Sequence, residues 1–215
     1  MEVKYKDWKE ISIELYKKIT EAQNEDVDIM TKEVMILAML CECSEDDIWN
    51  LDINKVGELK SQLQFLGDFD FNKNKKYKSV KVGGIECDVC TDLNTFTYAQ
   101  YVDFQNFYPQ DGCIAQLLST IIIPKGNKYN DGYDIADLIQ KIEKTVDIVT
   151  ANEICFFFLK KYVNSIKHMN LCLLGQLTMR KMLTKKKNPI YQNLQKAIEN
   201  SKRTHSILTS ALSKK

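Results

Sequence analysis

Thr150-Ala151-Asn152-Glu153-Ile154-Cys155-Phe156-Phe157-Phe158-Leu159 opens the longest apolar stretch of the chain, which runs from Ile148 to Leu177. Thr150 with Glu153 three residues later has the spacing of a capping box, so a long helix is predicted from here to about Leu183. Lys160, Lys161 and Lys167 interrupt the run. Each would be costly in hydrocarbon, so the segment reads as a buried helix rather than a membrane span.

Helical signals recur on both sides of this stretch. Ser12 is an N-cap candidate, with Ile11 and Tyr16 placed as a hydrophobic staple and Leu15, Ile19 and Ala22 following at helical spacing. A second helix is predicted over about 29–42, burying Val34, Leu37, Ala38 and Cys41. Ser44 followed by Glu45, Asp46 and Asp47 puts a hydroxyl and three acids over a helix N-terminus. A fourth helix is predicted from about Asn54 to Leu66, with Gly67 as its stop. Further on, Thr97 with Gln100 forms another capping box. Cys113 to Ile123 reads as a helix or buried apolar segment, and Asp134 caps a helix through Lys144. Asn188-Pro189 precedes a last helix to about Leu212.

One region alternates instead. Val80 and Val82, then Gly83-Gly84, then Ile85, Cys87 and Val89 read as a β-hairpin. With only three Pro and eight Gly in 215 residues there is little material for an all-β fold. The predicted fold class is mainly α, a helical bundle with one small β-hairpin insertion. The expected organisation is an acidic helical sub-bundle over 1–67, the hairpin over 68–91, a main helical domain over 92–184 and a basic C-terminal helix over 185–215.

Charge is unevenly spread although the net is only +1. Residues 1–70 carry eight Lys against seventeen Asp and Glu, a net −9, while 180–215 carry ten Lys and Arg against Glu199 alone, a net +9. Such asymmetry suggests a segment made for an anionic partner or for the acidic end of a neighbouring copy. Arg180, Lys181, Lys185, Lys186, Lys187, Lys196, Lys202 and Arg203 form this expected partner-binding surface. Protein and nucleic acid both fit it. Tyr191 is the sole aromatic among them, which gives single-strand stacking little support.

Phe96, Tyr98, Tyr101, Phe104, Phe107 and Tyr108 are too dense for one buried face. Some rings should be exposed, and Tyr98, Tyr101 and Tyr108 are the candidate oligomer contact.

Other chemistries fail on spacing. Cys87-Asp88-Val89-Cys90 and Cys41-Glu42-Cys43 could between them supply zinc thiolates, but residues three apart on a strand point to opposite faces. Seven irregularly spaced cysteines do not make a disulfide framework and fit a reducing compartment. His168 and His205 have no helical partner suited to a metal. A calcium loop aligned on Gly132 would need Glu where Leu138 stands. No Walker, dinucleotide-binding or HExxH motif occurs. No catalytic, metal or cofactor residue is therefore nominated, and a non-enzymatic chain is expected. The polar lead from Met1 to Asp7 does not read as a signal peptide.

The run from Asp92 through Thr97-Tyr98-Ala99-Gln100-Tyr101 to Gln105, the later Ile123-Pro124 followed by Lys128-Tyr129-Asn130-Asp131-Gly132-Tyr133, and the early segment around Ser44 to Ile48 share word order with a known group. Together they resemble small morphogenesis-region and virion proteins of tailed phages infecting Bacteroides, the crAss-like phages, over roughly residues 8–165. The resemblance carries no functional residue and does not cover the basic C-terminus. It implies a virion structural protein, in a head–tail connector or tail ring or packaged in the particle, or alternatively a tail assembly chaperone or a packaged nucleic-acid-binding protein. Its expected partners are other virion proteins and copies of itself, in the host cytoplasm during assembly and then in the virion.

Overall fold

A computed structural model describes the backbone of residues 1–183 except 68, 109 and 111, and side chains as far as Ser165. The helices are α1 (Ile13–Asn24), α2 (Ile29–Cys41), α3 (Glu45–Trp49), α4 (Ile53–Ser61), α5 (Tyr98–Phe107), α6 (Ile114–Ser119), α7 (Ile135–Thr145) and α8 (Ile148–Leu183). Three short strands, β1 (Ser79–Val82), β2 (Ile85–Val89) and β3 (Ile122–Pro124), form one antiparallel sheet in the order β1-β2-β3. The chain is thus mainly helical with a small β insertion.

Side-chain caps set most helix starts. Ser12 accepts from the Leu15 amide, Asp28 from Met30 and Thr31, and Asp52 from Asn54 and Lys55. Ser44 and Asp47 exchange bonds in a full capping box on α3, as Thr97 and Gln100 do on α5. Ser44→Ala would free the Asp47 amide and remove one half of that box. The expected loss is about 1 kcal/mol, read as a lower denaturant midpoint at unchanged slope.

Three expectations about element ends are corrected. The helix predicted from Asn54 to Leu66 ends at Ser61 and gives way to a separate 3₁₀ turn over Gln64–Gly67. The apolar segment 113–123 is helical only to Ser119, and its tail becomes the third strand. The cause is the β2 edge, on which Ile122 pairs with Val89 and Pro124 with Cys87. Pro124 has no N–H to give, which suits the outer strand of the sheet. Finally, α8 begins at Ile148. Asp147 accepts from the Thr150 amide at 2.8 Å, so Thr150 and Glu153 do not form the predicted box.

The hairpin turns through Gly83 and Gly84 at φ +55° and +82°, which L side chains rarely adopt. At Gly83 a Cβ would also meet the Lys141 side chain at 3.1 Å.

Contacts divide the chain into Met1–Phe157 and Phe158–Lys215. In the first unit α7 packs against α1, α6 and β1. The start of α1 and the start of α8 are stitched together, because Ile13 donates to the Val146 carbonyl and Ile148 to that of Ile11. Ile11, Ile13, Leu37, Leu40, Leu59, Phe104, Leu118 and Ile121 are fully buried in this unit. In the second unit Phe158, Tyr162 and Val163 are buried along α8. The predicted helix beyond Pro189 lies outside the described residues.

Candidate functional site

The α5 helix carries two unlike faces. Phe104 is fully buried and stacks on Tyr108 with ring centroids 5.5 Å apart. Gln100, also buried, donates from Nε2 to the Thr120 carbonyl at 2.6 Å while its Oε1 accepts from the Thr97 amide. Asp103 accepts from the Tyr129 hydroxyl at 2.8 Å. Burial, and then that carboxylate, push the Tyr129 hydroxyl well above its usual range, so it stays protonated and donating. These three residues fix α5 in rotation. Tyr98, Tyr101 and Val102 then share the outward stripe, because positions three and four apart lie on one helix face. Tyr98 is 83% exposed, Tyr101 40% and Val102 37%. Of the three tyrosines singled out from sequence, Tyr98 and Tyr101 therefore stand on one exposed stripe, and Tyr108 is half-buried against Phe104.

The acidic front exposes apolar side chains as well. Ile29 and Met30 in the first turn of α2, Trp49 at the end of α3 and Ile53 at the start of α4 are all more than half exposed. Their neighbours Asp28 and Asp52 are the caps of α2 and α4.

A polar node on α8 was missed by sequence reasoning. Glu153 is 5% exposed and accepts from the Asn72 amide at 2.9 Å and from the Tyr77 hydroxyl, with Lys75 Nζ at 3.3 Å. Burial alone would push this carboxyl up. The Tyr77 hydroxyl, the Asn72 amide and the Lys75 ammonium outweigh it and hold the group below the usual carboxylate range. The node pins the segment 69–78 onto the first turns of α8. An aromatic series supports the same segment, passing from Trp8 to Phe69, from Phe69 to Phe71 and from Phe71 to Phe156 with centroids 5.1–5.8 Å apart. The signal available in sequence was Asp147, a better-placed cap than Thr150. It would have released Glu153 from a capping role.

The remaining candidates are dispersed. Cys41 and Cys87 are buried, whereas Cys43 and Cys90 are half-exposed, just beyond the ends of α2 and β2. Among the described residues no three His, Cys, Asp or Glu side chains converge as metal ligands, and no helix is long and apolar enough to cross a membrane. Cys155 is buried and its thiol is pushed up to about 12 by desolvation, so it packs as a small apolar group. Arg180, Lys181 and His168 fall on the part of α8 without described side chains. Lys185, Lys186, Lys187, Lys196, Lys202, Arg203 and His205 lie outside the described residues. Comparison with protein-family models, curated proteins and solved structures finds no match to this chain.

Proposed function

We propose that this chain is a non-enzymatic assembly component that works through protein–protein contacts, as a tailed-phage virion protein of the connector or tail region or packaged in the particle. The observation that carries the reading is the α5 stripe. Two tyrosines and a valine face solvent on a helix whose other side is fixed by Phe104, Gln100 and Asp103. Tyrosine on a rigid element offers a large contact area at small entropic cost, the pattern of an interface anchor. The separated −9 and +9 segments of the sequence support head-to-tail association between copies. The phage assignment itself rests on the sequence resemblance.

Light scattering of the full chain at low and high salt tests the contact. The wild type is expected to self-associate or to bind other virion proteins. Tyr98→Lys with Tyr101→Lys should weaken that association by about 30-fold or more, the effect of losing an interface anchor of about 2 kcal/mol. Mass spectrometry of purified particles tests the location. A protein that is monomeric at both salts and has no affinity for virion proteins would refute the reading.

A further inference from the structure

Residues 71–85 contain five lysines and no acid. Lys73, Lys75, Lys76 and Lys78 lie on the strap leading into β1, and Lys81 lies within the strand, all exposed. Their apolar neighbours turn inward except Ile85, which is 44% exposed at the hairpin turn. Phe71, Tyr77 and Val80 are half-buried and Val82 is fully buried.

The lysines differ in what they have left to bind. Lys75 is committed to Glu153, and Lys81 lies opposite Glu86 in the hairpin register without an ion pair to it, that carboxylate bonding Lys125 instead. Among the described residues Lys73, Lys76 and Lys78 have no carboxylate partner within ion-pair distance. Lys73 instead stands 5.7 Å from the Phe71 ring centroid and 5.6 Å from that of Phe156, and Lys76 stands 5.7 Å from that of Phe157. Cation–π contacts of this kind position an ammonium group without neutralising it. The Glu153 node and the aromatic series hold the backbone beneath. The result is a group of exposed cations on a backbone held in place, with Lys73 and Lys76 resting over aromatic rings.

We propose that this strap is a contact surface for the phosphate backbone of nucleic acid, in a segment of the sequence other than the basic C-terminus. Two features select that partner over a protein. Protein interfaces are depleted in lysine and built around a desolvated apolar centre; here Phe71, Tyr77, Val80 and Val82 turn inward and Ile85 at the hairpin turn is the one exposed apolar residue of 71–85. Lysines are flexible point charges that meet phosphates without reading bases, so binding should be insensitive to sequence and steep in salt. An anionic membrane is disfavoured because Ile85 alone offers too little outward apolar surface for insertion. The proposal does not depend on the phage assignment.

The test is fluorescence anisotropy of the full chain with a labelled 20-nucleotide oligo(dT), as a single strand and as a duplex with oligo(dA), across a salt series. Lys73→Gln/Lys76→Gln/Lys78→Gln is compared with Lys185→Gln/Lys186→Gln/Lys187→Gln and with the triple arginine variant of the strap. Removing three phosphate contacts should flatten the log–log salt slope by about 2–3 and weaken binding on the order of tenfold or more at low salt. The arginine variant should bind as the wild type does, which separates charge from any structural role. Four results would overturn the proposal. They are no binding of either oligonucleotide at low salt, a strap variant with unchanged affinity and slope, loss of self-association in place of oligonucleotide binding, and capture by phosphatidylserine vesicles without oligonucleotide binding.

Discussion

Glu153→Ala is expected to destabilise the chain by about 3 kcal/mol, because it strands several polar groups at once. Asn72 loses the acceptor of its amide, the half-buried Tyr77 hydroxyl loses its carboxylate, and Lys75 loses its counter-ion. The Lys75 share is small, since its ammonium is half exposed and screened by water. Glu153→Gln keeps the shape and can still accept from Asn72 and Tyr77, so about 1–2 kcal/mol is expected there. Thermal melts of the three proteins should rank wild type, Gln, Ala, with about 2–4 °C for each kcal/mol at this chain length. Equal melting temperatures would show that the node does not hold the strap.

The same group makes a pH prediction with a definite sign. The Glu153 carboxyl is held below its ordinary range in the folded chain. Its contribution is therefore fully present above the unfolded value of about 4.3 and is lost as pH falls through the lower folded value. Below about pH 4 the wild type should lose stability more steeply than Glu153→Gln, whose amide does not titrate. Parallel acid-unfolding curves would contradict this. Because the strap lysines sit on the segment that Glu153 pins, the alanine variant also bears on binding. It removes no cation, so its oligonucleotide salt slope should keep the wild-type value more nearly than that of the strap lysine variant.

Much of the architecture was readable because it is written in local chemistry. Ser12, Ser44, Thr97 and Asp134 are helix caps in the structure as in the sequence, and the Gly83-Gly84 hairpin lies where the alternation places it. A cap or a two-residue turn is decided within four or five residues, so a single sequence carries it. What failed depends on partners far along the chain. Ile122 to Pro124 continues an apolar helix pattern and becomes a strand only because the β2 edge is available. Glu153 meets Asn72 and Tyr77 across about eighty residues, beyond the reach of any local pattern. The contact surfaces were legible in part. The density of rings around Tyr98 implied that some must face out and singled out Tyr98, Tyr101 and Tyr108, but that Tyr108 is half-buried against Phe104 while Tyr98 and Tyr101 are exposed depends on how α5 is held. The lysine strap was overlooked because its net charge is modest beside that of the C-terminus. Its distinction lies in which lysines have carboxylate partners, and composition does not contain that.

Phe104→Ala is the second large effect. The ring is fully buried and is stacked on Tyr108, on the side of α5 opposite the exposed stripe. Truncation removes the transfer free energy of the ring and leaves a cavity that neighbouring helices fill only in part. The expected cost is about 3–5 kcal/mol. For a chain of this size that is a fall of roughly 10 °C in melting temperature. Phe104→Leu retains most of the volume and should lose less than half as much. The pair also tests what the α5 stripe requires. If Tyr98 and Tyr101 act as anchors because α5 is held in one rotation, Phe104→Ala should weaken self-association at temperatures well below its own melting point, although Phe104 does not reach the surface. Phe104→Leu should leave association near the wild-type level. If both variants associate as the wild type does while the double lysine substitution at Tyr98 and Tyr101 still disrupts association, then stripe chemistry alone suffices, and the fixed rotation of α5 contributes nothing to binding.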